Sequence, residues 1–216
     1  GIENDPSVCA GAWVTVQAGT SLDELVATAV AQGWTGLEGL SGVPGTVGAT
    51  PIQNVGAYGA QVADVITEVE VWDRQRRQAR TMSAAQCAFN YRDSMFKRER
   101  MADGSPAFVV LAVTFTLPIT PLSAPLRYPE LAKAVDVEVG SRVDCATVRA
   151  AVLALRTAKG MVLDDNDHDT WSVGSFFTNP VVSASIADAL PPQAPRWPVS
   201  ADAADDAQPR HRLTPG

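Results

Sequence analysis

The chain has 216 residues, 46% of them hydrophobic and 19% charged, with a formal net charge of −7 at pH 7. That length suffices for one large domain or two small ones, and two are expected. The acidic balance excludes a general nucleic-acid binder, which needs a dense basic patch to release counterions. The basic runs at residues 74–80 and 97–100 read as solvated faces of a hairpin and of a loop. Cys9, Cys87 and Cys145 lie far apart without a Cys-x-x-Cys, which fits small core residues in a reducing compartment. His168 and His211 are too isolated for a zinc site, so no metal is expected. No apolar run nears the about 20 residues of a membrane span, and no signal peptide is visible. A soluble, cytoplasmic protein without a membrane partner follows. The sequence opens at Gly1 without an element start of its own and reads as a fragment.

In chain order, residues 13–19 predict a strand ending at Gly19. Ser21 with Glu24 three residues on has the spacing of a capping box, opening a helix over 22–32 with apolar positions Leu22, Leu25, Val26, Ala29 and Val30 and Gly33 at its C-terminal cap. Residues 65–72 alternate as a strand, with 80–82 as partner, and Ser83 starts a short helical turn. Residues 107–117 are almost continuously apolar, the mark of a central strand, and Pro118 ends it. From Thr147 to Lys159, Val148, Ala151, Val152 and Leu155 recur at helical spacing, with Arg149, Arg156 and Lys159 on the same helix. An acidic loop at 164–169 and a turn then strand over 171–182 follow. Beyond Pro191 proline, alanine and aspartate dominate, predicting a poorly packed tail. Strands and helices mix without βαβ spacing, so the class is α+β. No Gly-x-Gly-x-x-Gly follows a strand, which argues against a Rossmann domain.

Between the first helix and the strand at 65–72 lies a loop punctuated by Gly42, Gly45, Gly48, Gly56 and Gly59 with Pro44 and Pro51. Glycine lets backbone N–H groups approach an anion, and Gln53 and Asn54 add side-chain donors and acceptors. The loop is poor in charge and carries Val43, Val47, Ala49, Ile52, Val55 and Ala57, so it reads as buried backbone that needs hydrogen-bond partners. A run of surface turns is the plainer alternative.

Three further segments follow in order: Asn90-Tyr91-Arg92-Asp93-Ser94-Met95-Phe96-Lys97, Leu155-Arg156-Thr157-Ala158-Lys159 and Gly174-Ser175-Phe176-Phe177-Thr178-Asn179-Pro180. With the glycine-rich loop, at these intervals, the chain over residues 1–183 closely resembles the UDP-N-acetylenolpyruvoylglucosamine reductases, the MurB-type flavoenzymes of peptidoglycan precursor synthesis. The resemblance implies an FAD-binding domain of the vanillyl-alcohol-oxidase type over 1–163, its first subdomain largely missing. It further implies the start of a substrate-binding domain over 164–190 and a divergent tail over 191–216. Implied cofactors are FAD and NADPH. The implied reaction reduces the enolpyruvyl ether of UDP-N-acetylglucosamine to UDP-N-acetylmuramate, hydride passing from NADPH to flavin and from flavin to the enolpyruvyl carbon.

By the same resemblance, Pro44, Gly45, Gly48, Ala49, Ile52, Gln53, Asn54, Gly56, Ala57, Tyr58 and Arg156 lie against the cofactor. Tyr91, Tyr128, Lys159 and Asn179 hold substrate, with Tyr128 on a loop that closes. Arg92 and Ser175 are catalytic: a guanidinium stabilises the charge that grows on an enolate conjugated to a carboxylate, and a serine hydroxyl protonates the enolate carbon. Read in isolation, Arg92 with Asp93 is a surface ion pair, Ser175 a turn hydroxyl, Lys159 a helix-end lysine and Tyr128 a helix-start aromatic. The aromatic and apolar neighbours Phe89, Tyr91, Met95 and Phe96 favour a semi-buried Arg92. The glycine-rich loop of the first cofactor subdomain and a distal carboxylate of the family find no match, so weak FAD binding and little turnover are expected of this segment. A different flavin oxidoreductase, or a non-catalytic binding module, are the alternatives.

Overall fold

The structure, a computed structural model, describes residues 2–5, 11–172, 174, 177–199 and 210–213. It falls into two units, Gly1–Ser172 and Val173–Gly216.

The first unit is built on an antiparallel sheet. β1 (Ile2–Asp5) and β2 (Ala12–Gln17) form one side, and β5 (Ile66–Asp73) and β6 (Gln78–Ser83) a hairpin on the other. β7 (Phe108–Leu117) lies between them in the order β1-β2-β7-β5-β6. The continuous apolarity of residues 107–117 has its cause in this central place. Register puts Val14 opposite Phe115 and Val16 opposite Val113, with Val69 opposite Val113 from the other side. These side chains are fully buried. Hydroxyl pairs Thr15–Thr114 at 3.0 Å and Thr67–Thr116 at 2.7 Å run between strands beside them. The β5–β6 turn carries the basic run at 74–80, as the sequence predicts, with Arg77 at φ 55°.

α1 (Leu22–Ala31) covers the apolar face with Leu22, Leu25, Val26 and Ala29. Its C-terminus closes as Gly33 predicts: Gly33 adopts φ 69°, its N–H donates to Val30 and that of Trp34 to Ala29, the paired bonds of a Schellman motif. Its N-terminus departs from expectation. Ser21 makes no side-chain capping bond. The backbone around it is instead bridged to the glycine-rich loop, Leu22 N–H donating to the Gly45 carbonyl at 3.0 Å and Val47 N–H to that of Thr20 at 2.9 Å. The capping box forms at Ser83 and Gln86, opening α2 (Ala84–Cys87). Residues 97–100, expected as loop, begin inside α3 (Met95–Arg98), which buries Phe96.

α4 (Pro129–Ala134) and α5 (Cys145–Thr157) make a second core from Leu126, Leu131, Ala132, Val148 and Val152, against which Tyr58 and Leu155 pack. Cys87 and Cys145 are free and buried, and burial pushes the Cys87 thiol up to about 12. Cys9 lies outside the described residues.

The second unit pairs β8 (Val181–Ser183), β9 (Arg196–Val199) and β10 (Arg210–Leu213) in the order β8-β10-β9, with α6 (Ala184–Asp188) beside them. Two strands therefore stand within residues 191–216, where the sequence predicts a poorly packed tail. Pro198 is accommodated because β9 is an edge, where a missing N–H costs no ladder bond.

Candidate active site

The glycine-rich loop crosses one end of the sheet as two short turns, Val47–Ala49 and Val62–Asp64, with a small hairpin between them, β3 (Gly56–Ala57) and β4 (Ala60–Gln61). Its inward residues Val47, Gly48, Thr50, Pro51 and Asn54 are buried, while Pro44, Gly45, Ala49, Ile52 and Gln53 are exposed. Gly48 lies so close to Ala18, the residue that follows β2, that a Cβ there would sit 2.5 Å from the Ala18 Cβ and 3.1 Å from its carbonyl oxygen. Gly45 has φ 105° and open space where a Cβ would stand. The N–H groups of Gly45 and Thr46 have no acceptor among the described residues. An exposed ribbon of mostly small residues therefore runs along a backbone seated against Ala18. That cradle fits a flat cofactor with a pyrophosphate, for which close backbone approach is required.

Arg92 reaches the centre of this loop. In the left-handed region at φ 51°, it donates from Nη1 to the Asn54 carbonyl at 3.0 Å and from Nη2 to that of Gly56. A Cβ on Gly56 would fall 2.8 Å from Nη1, so glycine makes room for the guanidinium. The expected alternative, an Arg92–Asp93 pair, does not form: Asp93 bonds Arg98. Ser94 donates to the Ile52 carbonyl at 2.6 Å, Lys97 to the Arg92 carbonyl at 2.9 Å, and the Arg92 guanidinium lies 5.4 Å from the Tyr91 ring centre. The 90–97 segment is thus strapped to the loop. Buried Asn54 completes the junction, donating to Gln61 and the Asn90 carbonyl and accepting from Ala63 N–H.

At the turn of the hairpin stand residues at the ends of α4 and α5. Tyr58 meets Tyr128 edge to face at 5.4 Å. Lys159 Nζ lies 5.9 Å from the Tyr58 ring centre and is held by both Glu130 oxygens at 2.8 Å. This bond raises the Lys159 ammonium above its ordinary value, while burial raises the Tyr58 phenol. Arg156, only 9% exposed, donates from Nη2 to the Met161 carbonyl at 2.8 Å. Its Nε is buried without a partner, and desolvation pulls the guanidinium below its usual value.

Two carboxylates that sequence reasoning did not single out hold this arrangement. Asp23 takes a bidentate bond from Arg149 at 2.7 and 2.9 Å and the Gly42 N–H at 2.7 Å, tying α1, α5 and the start of the loop together. The Arg149 bond holds its carboxyl below the usual range. Buried Glu38 accepts from Thr35 Oγ1, Gly36 N–H and Ala124 N–H at 3.1, 2.6 and 3.0 Å. A pattern was present for Asp23, an acid in the first turn of a helix, but its partner stands 126 residues away.

Of the expected site residues, the structure brings Arg92 and Tyr91 to the Gly56 end of the hairpin and Tyr128 and Lys159 to Tyr58 at its turn, while Arg156 lies beside Gly42 at the start of the loop. Asn179 belongs to the second unit and is half-buried there. Ser175 lies outside the described residues. Among the described residues no group of three or more His, Cys, Asp or Glu could hold a metal ion, and no helix is long and apolar enough to cross a membrane.

A family profile described as an FAD binding domain matches residues 3–81. The chain is 55% identical over 86% of its length to a UDP-N-acetylenolpyruvoylglucosamine reductase of Salinispora arenicola, covering 51% of that protein. It is 51% identical over 91% of its length to one of Cutibacterium acnes, covering 50%. It thus spans about half the length of these relatives. Among solved structures it resembles that of UDP-N-acetylenolpyruvylglucosamine reductase (MurB) from Thermus caldophilus, with 26% identity and a TM-score of 0.52 over 77% of this chain and 48% of that one.

Proposed function

We propose, from its likeness to the UDP-N-acetylenolpyruvoylglucosamine reductases, that the chain is part of a member of that family and carries the flavin cradle and part of the substrate site of an NADPH-dependent reductase. The substrate in this reading is the enolpyruvyl ether of UDP-N-acetylglucosamine, reduced to UDP-N-acetylmuramate. Residues 1–163 are the FAD-binding part and 164–190 begin the substrate-binding part. The observation that carries the reading is the seating of Arg92 across the Asn54 and Gly56 carbonyls, beside an exposed ribbon of small residues.

Bound FAD would supply the hydride chemistry, which belongs to the cofactor. The protein's part is placement and electrostatics. The backbone of Gly45 to Tyr58, with Pro44, Gly48, Ala49, Ile52, Gln53, Asn54, Gly56 and Ala57, offers the surface, and Arg156 a fixed positive charge behind it. Arg92, oriented before any ligand arrives, stabilises negative charge developing on a carboxylate-conjugated carbon more than it stabilises the ground state. Its fixed φ and two carbonyl bonds mean that little reorganisation accompanies that task. Lys159 and Tyr128 face the sugar nucleotide, with Tyr91 and Asn179 as further substrate contacts, while Tyr58 lies against the cofactor. Ser175 is the proton donor in this reading.

Titrating the chain with FAD while following flavin fluorescence and visible absorbance tests the first half. The expected result is a saturable perturbation of the flavin spectrum. NADPH consumption that depends on the enolpyruvyl ether tests the second half. A flavin spectrum unchanged at saturating protein would overturn the assignment.

A further inference from the structure

Lys159 and Glu130 are 42% and 41% exposed, so their ion pair adds little to stability. Its placement is more telling than its strength. Glu130 lies in the first turn of α4, directly after Tyr128 at the N-terminal cap and Pro129. Lys159 follows the C-terminal cap of α5. The pair therefore closes a small ring: Glu130 to Lys159, Lys159 to the Tyr58 ring, Tyr58 to Tyr128, and one turn of chain back to Glu130. Both carboxylate oxygens contact the same ammonium, an arrangement in which an internal anion already occupies the cation of the site. The charged and titratable groups around the ammonium are Glu130, Tyr58 and Tyr128.

We propose that Glu130 is a built-in counter-anion, holding Lys159 over Tyr58 and yielding it to the diphosphate of the sugar nucleotide on binding, so that release of the ring is coupled to ligand capture. This rests on the functional reading above. An exposed pair suits such an exchange, because breaking it costs little and the incoming diphosphate replaces a single carboxylate charge. The carboxylate then sets affinity by competition: a negative charge a few ångströms from the ligand's own weakens binding, most at low salt. Glu130 is thus a positioning and affinity-setting residue that acts through Lys159.

The test is calorimetric titration of the full chain with UDP, for the wild type, Glu130→Gln and Lys159→Ala, at low and high salt. Glu130→Gln keeps the shape of an exposed side chain and removes its charge. It is expected to tighten UDP binding about fourfold at low salt, with a smaller gain at high salt, whereas Lys159→Ala weakens it. A merely structural clasp predicts the opposite sign for Glu130→Gln, since loosening Tyr128 would lower affinity. UDP binding that Glu130→Gln leaves unchanged or weakens, or that ignores Lys159→Ala, overturns this inference alone. No UDP binding by the wild type overturns the functional reading with it.

Discussion

Arg92 sits in a backbone conformation that few non-glycine residues adopt, and its guanidinium bonds to the Asn54 and Gly56 carbonyls fasten its segment to the loop. Arg92→Ala is expected to cost about 1.5–3 kcal/mol in urea denaturation, the scale of lost hydrogen bonds to a charged donor. Arg92→Lys should recover only part of this, because one ammonium cannot span two carbonyls as a planar fork does. Asp23 gives a prediction with a sign. Its carboxyl is depressed in the folded chain, first by the Arg149 bond. Its contribution is therefore fully present above the unfolded value of about 3.9 and is lost as pH falls through the lower folded value. The melting-temperature gap between wild type and Asp23→Asn should hold steady from pH 7 to 5 and close below about pH 4; a gap that widens on acidification refutes the assignment. Arg92 was legible in the sequence as a cation among aromatics. Asp23 was not, because a single helix-start acid carries no sign of a guanidinium that only the tertiary fold delivers.

Among the elements, α1 separates what local chemistry dictates from what the fold overrides. Its apolar stripe and Gly33 termination follow from periodicity and from the φ that glycine supplies. Its start follows from the loop instead, since the Gly45 carbonyl takes the N–H that follows Ser21. Ser21→Ala is accordingly expected to change stability by less than about 0.5 kcal/mol, against the ~1 kcal/mol of a working cap. Gly48→Ala is a contrasting case. The obstruction is the backbone and Cβ of Ala18, which cannot swing aside, so the loop must lift from the chain that follows β2. A loss of about 1–3 kcal/mol is expected, with weaker flavin binding in the same titration. The loop's glycine richness was plain in the sequence; which glycine faces the sheet and which faces outward depends on a register that no local pattern encodes. The tail's two strands escaped for a related reason, since strands of four residues, one of them interrupted by Pro198, leave almost no alternation to detect.

At the scale of the molecule, the α+β class and the central place of β7 were readable from apolar continuity, while the joining of α1, the loop and α5 by one carboxylate was not. Because a ligand that binds only the folded chain stabilises it by mass action, FAD at about 100 times its Kd should raise the melting temperature by about 5–10 °C. Arg149→Ala, which releases the loop's anchor, should shrink that rise beyond its own effect on the unliganded chain, as scanning fluorimetry can record.

The sheet order also bears on synthesis. β2 finds its hydrogen-bond partner in β7, Ala12 meeting Leu117, so the cradle lies inside a long closed segment whose far end is made last. At the ~5–20 residues per second of a translating ribosome, β2 waits about 5–20 s for β7. During that interval Val14 and Val16 have no β7 to pack beside, and apolar surface left uncovered in this way is what invites association or a chaperone.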